Sequence, residues 1–154
     1  MQKTFRGSSS HICDPKGRLI VPSRFREVIV DEKKGDEKAR VFITVRPVPC
    51  LCVYTPSEWD VFEQQLTDSQ SPNSSEIRRF FLGNAQECEC DAQGRILIPK
   101  SLRDYAGIDK DIMLVGMRYR FEIWSLANWN RENEKIIQSF NSGDLKNELA
   151  AFKV

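Results

Sequence analysis

The stretch CDPKGRLIVP beginning at Cys13 returns as CDAQGRILIP beginning at Cys90. A chain that writes one loop and strand twice folds either as two related units or as one unit with internal symmetry. That choice constrains it more than composition does. At an offset of 77, Cys13, Asp14, Gly17, Arg18, Pro22 and Arg26 meet Cys90, Asp91, Gly94, Arg95, Pro99 and Arg103. The pattern also repeats. Phe25, Val28 and Ile29, then Leu102, Tyr105 and Ala106, form the same i, i+3, i+4 apolar stripe. Pro22 and Pro99 suit the first turn of each helix. Further on the offset falls to 70, aligning Val53, Tyr54 and Trp59 with Ile123, Trp124 and Trp129. The seven extra residues are assigned to the polar run DEKKGDEK (31–38), a surface loop that tolerates insertion.

Each copy reads as strand, D-x-x-x-R turn, strand, short helix, strand, turn, strand. VFITV (41–45) with LCVY (51–54), and IMLVG (112–116) with FEIW (121–124), read as hairpins. PSEWDVFEQQL, with Thr55, Pro56 and Ser57 at its cap, is predicted as a helix with Trp59, Phe62 and Leu66 on one face. LANWNRENEKIIQSF repeats that start with Trp129, Ile136 and Phe140. SQSPNSSE is a turn-rich linker, SSEIRRFFLG a short helix ending at Gly83, and GDLKNELAAF a last helix. The organisation expected is a first module over 8–58, connecting helices and linker over 59–84, a second module over 85–128, and C-terminal helices over 129–154.

Charge separates the copies. The net charge is only +1. Residues 1–30 nevertheless carry Lys3, Arg6, Lys16, Arg18, Arg24 and Arg26 against Asp14 and Glu27, which is +4. Residues 84–108 total −1. One architecture therefore serves two electrostatic settings. MQKTFRGSSSH has no apolar run of a secretory signal, and no window approaches 18 apolar residues. A cytoplasmic protein is expected. Its five cysteines, an odd number, argue against a full disulfide framework.

Asp14 and Asp91 permit a carboxylate pair for acid–base chemistry. The turn itself offers another use, because aspartate at its first position accepts backbone N–H bonds and pairs with the arginine four residues on. Gly17 and Gly94 point to a positive φ or a close backbone approach. Arg18 and Arg95 either fix that turn or grip phosphate and base edges. The basic setting of Arg18, with Lys16, Arg6 and Arg24, favours nucleic acid; the acidic setting of Arg95 favours structure. Cys50-x-Cys52 and Cys88-x-Cys90 allow a soft-metal clamp, against the plain reading of small buried hydrophobes. His11, the one histidine, leaves no second base for a nucleophile pair.

FRG at 5–7, DPKGRLIVPSRFRE, LGNAQECECDAQGRILIPKSLRDYAGI and MLVGMRYRFEIW together resemble the MraZ family of bacterial transcriptional regulators, from about Phe5 to Trp129. The resemblance implies an α+β, mainly β, fold. In it two tandem AbrB-like (SpoVT-AbrB) swapped-hairpin modules form one pseudo-two-fold, double-ψ-type β-barrel with peripheral helices. It implies binding to double-stranded DNA at short direct repeats upstream of the chain's own cell-division and cell-wall gene cluster, chiefly as a repressor. It implies a ring-shaped homo-oligomer, an octamer, associated with the nucleoid. No enzyme activity, cofactor, metal, membrane or small-molecule substrate is implied. Carried across, the DNA-binding residues are Lys16, Arg18, Arg6, Arg24 and Arg95, and the turn residues are Asp14, Gly17, Asp91 and Gly94. An antitoxin-like protein-interaction module of AbrB fold is the alternative, and a barrel enzyme with an Asp14–Asp91 dyad a third reading.

Overall fold

A computed structural model describes residues 3–35 and 37–153, so the polar run at 31–38 is described except for residue 36. The first copy contributes β1 (Ser8–Ile12), β2 (Arg18–Ile20), α1 (Ser23–Asp31), β3 (Arg40–Val45), β4 (Leu51–Tyr54) and α2 (Pro56–Asp68). α3 (Ser74–Gly83) bridges to the second copy, which contributes β5 (Gln86–Glu89), β6 (Arg95–Leu97), α4 (Lys100–Ala106), β7 (Asp111–Gly116), β8 (Arg120–Ser125) and α5 (Leu126–Ser142). α6 (Leu145–Leu149) follows.

The strands form a six-stranded antiparallel sheet in the order β1-β7-β8-β4-β3-β5, and β2 pairs separately with β6. Each copy gives its first strand to the other: β1 lies on β7 and β5 on β3. The two remaining cross-copy ladders are self-equivalent. Leu19 faces its repeat mate Ile96, and Cys52 faces Glu122, so the pseudo-two-fold axis passes through both pairs.

Register corrects the sequence alignment. Ser10 opposite Met113 is the counterpart of Glu87 opposite Phe42, so the third strands are offset by 71. Six of the seven extra residues therefore precede β3, and the seventh lies in the β3–β4 connection. A second expectation also changes. The large sheet is open at β1 and β5, and among the described residues no closed barrel forms. β2 and β6 are three residues long and reach only each other, stitched to the opposite turns by Val21 N–H to Gly94 O and Ile98 N–H to Gly17 O, both 2.8 Å.

Alternation decides the layers. Val41, Ile43, Leu51, Val53, Ile112, Leu114, Phe121 and Ile123 are buried in the main core with Leu19 and Ile96 of the ladder and Phe25 and Leu102 of α1 and α4. Phe5, Phe25 and Phe121 pack there with ring centres 5.0–5.2 Å apart. On the sheet's other face Cys52 and Tyr54 bury against Trp59 of α2, with Phe42, Phe62 and Leu82 around them.

Helix details depart in three places. Pro22 and Pro99 stand one residue before their helices, with extended backbone, and act as caps. Pro22 O accepts from Phe25 and Arg26, each at 2.9 Å. Tyr105 is not part of the buried stripe; it is exposed and donates its hydroxyl to Arg46 O. α5 has an apolar stripe but no buried residue, with Trp129 and Ile136 half-covered and Phe140 exposed. Among the described residues no helix is long and apolar enough to cross a membrane.

Candidate nucleic-acid interface

Both D-x-x-x-R turns are built by the aspartate. Asp14 Oδ1 accepts from Lys16 N and Arg18 N at 2.9 Å, and Oδ2 accepts from Arg18 Nε at 2.8 Å. Asp91 repeats this with Gln93 N, Arg95 N and Arg95 Nε at 2.9, 2.9 and 2.7 Å. Gly17 and Gly94 donate back to the Asp14 and Asp91 carbonyls at 2.9 Å, with φ of +92° and +80°. The two arginine readings merge. Nε is consumed by the turn, and among the described residues the terminal amino groups of Arg18 and Arg95 make no hydrogen bond.

Arg18 and Arg95 come together on the outward face of the ladder. Arg18 stands opposite Leu97, and Ile20 opposite Arg95. The intervening Leu19 and Ile96 point into the core, so the outer face alternates guanidinium and apolar side chains. Ile20 is 60% exposed and Leu97 54%. Lys16 sits exposed in the first turn; Gln93 is its counterpart in the second.

The remaining basic residues do not join this pair. Arg24 lies over the Phe25 ring and against Gly7, beside His11, whose pKa is lowered first by burial and then by Arg24. Arg6 donates to Thr4 Oγ1. His11 Nε2 and Ser9 Oγ are 2.7 Å apart.

Two residues matter more than their sequence signal suggested. A β-carbon on Gly17 would lie 2.6 Å from both Ile98 O and Arg103 Nε, while one on Gly94 would lie 2.9 Å from Arg26 Cδ. Arg103 Nε donates to Ile98 O at 3.0 Å. Each turn is thus propped by the arginine of the other copy's helix. The match of Arg26 with Arg103 at offset 77 was the available signal; the crossing of the copies was not visible in it.

The Arg18 backbone N–H, then its side chain, hold the Asp14 carboxyl below the usual carboxylate range, and Arg95 does the same for Asp91. A depressed folded-state pKa stabilises above the unfolded value of 3.8, and that stabilisation is lost as pH falls through the folded one. The stability gap between the natural chain and Asp14→Asn, followed by urea unfolding, is therefore widest near neutrality. It narrows below about pH 3.8.

The cysteines are all buried and unbridged. Burial pushes Cys52 and Cys88 up to about 11. Among the described residues no three His, Cys, Asp or Glu side chains group as metal ligands. A thiolate is the reactive form. Native protein at about pH 8 is expected to be inert to Ellman's reagent, and unfolded protein to release all five thiols.

The family model described as "MraZ protein, putative antitoxin-like" matches residues 4–80 and again 81–151, which are the two copies. Three relatives bear the name transcriptional regulator MraZ. That of Desulforapulum autotrophicum is 45% identical over 147 residues, covering 96% of this chain and 97% of its own. That of Hydrogenovibrio crunogenus is 35% identical over 152 residues, covering 97% and 98%. That of an Enterobacter species is 37% identical over 149 residues, covering 94% and 96%. Relatives of this name over nearly full length support the class of transcription regulator. The chain belongs to the MraZ family.

Proposed function

We propose that the chain is a sequence-specific DNA-binding regulator that reads duplex DNA with the outer face of the β2–β6 ladder and its flanking turns. The observation carrying this is the pair Arg18 and Arg95, each anchored through Nε, half-exposed and set diagonally across the same outer face, Arg18 opposite Leu97 and Arg95 opposite Ile20. A two-stranded ribbon fits the major groove, and an anchored guanidinium pairs bidentately with guanine. Lys16 adds a phosphate contact to the first turn alone. Arg24 and Arg6 act, in this reading, as peripheral backbone contacts.

The finer reading follows the resemblance. The two modules form a swapped-hairpin unit of the double-ψ type, supported by the exchange of β1 and β5. The protein represses from short direct repeats upstream of its own cell-division and cell-wall gene cluster, and works as a nucleoid-associated ring, an octamer. Net charge +1 on one chain supports weak binding, whereas a ring repeats the +4 segment and gains through effective concentration. An antitoxin-like partner role has one supporting observation, the exposed Ile137, Phe140 and Phe152 towards the C-terminus. Fluorescence anisotropy on the chain's own upstream DNA and a scrambled duplex, across a salt series, tests the DNA reading. Selective binding with a salt slope of about −0.9 per phosphate contacted is expected. Equal, weak binding to both duplexes overturns it.

A further inference from the structure

Two clefts flank the ladder, one on each side of the pseudo-two-fold axis. The first is lined by Ile12, Asp14, Arg18 and Ile20, with Arg95 reaching across. The second is lined by Glu89, Asp91, Arg95 and Leu97, with Arg18 reaching across and Glu87 beside Glu89. The offset of 77 turns one set into the other. Aspartate meets aspartate, arginine meets arginine, and Ile20 meets Leu97. Two positions break the match: Ile12 becomes Glu89, and Ser10 becomes Glu87. The first cleft thus sets two guanidinium groups against one carboxylate, and the second sets the same two against three.

We propose that duplex DNA docks in the first cleft, and that Glu87 and Glu89 exclude it from the second, so that a nearly symmetric scaffold binds DNA in one direction. This rests on the DNA-binding reading above. A duplex presents about one negative charge per 1.7 Å, so two more carboxylates on a cleft wall repel it. Discrimination by repulsion needs no new contact with the favoured orientation. Both glutamates are fixed on the edge strand β5. Glu87 pairs with Arg40 at 2.5 Å, and Glu89 with Lys38 at 3.1 Å. Arg40 and Lys38 themselves do not line the second cleft, whose own cations are Arg18 and Arg95. Ile12, 60% exposed, gives the first cleft a neutral wall against which sugar or thymine methyl groups pack.

The test compares Glu87→Gln/Glu89→Gln with Ile12→Glu by anisotropy on upstream and scrambled duplexes over a salt series. The glutamate variant is expected to bind scrambled DNA about tenfold more tightly, and to steepen the salt slope by about one to two as the second cleft takes up phosphates. Ile12→Glu is expected to lose at least about tenfold in selective affinity. An iron chelate on Ser8→Cys reads direction, because the native cysteines are buried. Cleavage on one side of the site in the natural chain, and on both sides in the glutamate variant, is expected. Circular dichroism checks that each variant folds, and the single exchange Glu89→Gln repeats the test if the double variant does not. Unchanged affinity, slope and cleavage in a folded glutamate variant overturn the proposal. Arg18→Ala run alongside separates the causes. If it weakens binding and the glutamate variant has no effect, only the directional proposal fails. If neither variant has an effect, the DNA reading fails with it.

Discussion

Arg18→Ala is expected to weaken selective binding to the upstream duplex by about 10- to 100-fold, the discrimination carried by one well-placed bidentate arginine. Its Nε is already spent on Asp14 at 2.8 Å, and its side chain is 46% exposed. Rotamer freedom lost to the anchor is therefore lost before DNA arrives, and the amino groups meet the duplex pre-aligned. Arg18→Lys is expected to fail nearly as badly, because an ammonium makes neither the anchor nor the fork. Lys16→Ala is expected to act differently, weakening scrambled and upstream DNA alike and reducing the salt slope by about one. Arg95→Ala is expected to cost less than Arg18→Ala, since its turn carries Gln93 where the first carries Lys16, and acidic residues flank its cleft. Thermal unfolding is expected to move little in all of these, because exposed ion pairs contribute little to stability. Equal affinity of the natural chain and Arg18→Ala, in both slope and selectivity, assigns Arg18 to the turn alone.

Much of this arrangement was legible from one repeat. Asp14 and Asp91 as turn-formers followed from side-chain chemistry, because a carboxylate two to four residues before open N–H groups closes on them. The hairpins, the start of α2 and the boundaries of α3 followed from β-branched runs, from Thr55 with Pro56, and from Gly83. What was hidden was long-range. Nothing in the order of residues says that β1 pairs with β7 rather than β3, so the crossed propping of Gly17 by Arg103 was out of reach. Tyr105 occupied an inward position by periodicity, but a backbone acceptor on Arg46 drew its hydroxyl to the surface. Arg6 and Arg24 were grouped with Arg18 because they are near in sequence. β1 separates Arg6 from the first turn along the chain, and Arg24, on α1, lies against Gly7, the residue that follows Arg6. Ile20 and Leu97 drew no attention as site residues, since an apolar residue in a short strand reads as core. Alternation along β2 and β6 turns Leu19 and Ile96 into the core and leaves Ile20 and Leu97 outside.

The largest stability loss is expected from Gly17→Ala, at about 3 kcal/mol in urea unfolding, from a left-handed backbone together with an unavoidable contact. The added β-carbon meets Ile98 O, a main-chain atom held in place because Ile98 N–H donates to Gly17 O at 2.8 Å. It also meets Arg103, but removing that side chain leaves the backbone oxygen where it was. Arg103→Ala is therefore expected not to rescue Gly17→Ala. Gly94 is the informative contrast. Its nearest neighbours are all side-chain atoms of Arg26, with Cδ and one amino nitrogen at 2.9 Å. Gly94→Ala is expected to cost less, and Arg26→Ala to recover part of that loss in a double-mutant cycle. The two cycles differ only if each turn is packed against the opposite copy as described. Equal costs at the two glycines, or rescue at Gly17 and none at Gly94, contradict that packing. If the contrast is found, neither copy has a complete turn without the other, and the two halves are expected to unfold in one transition rather than two.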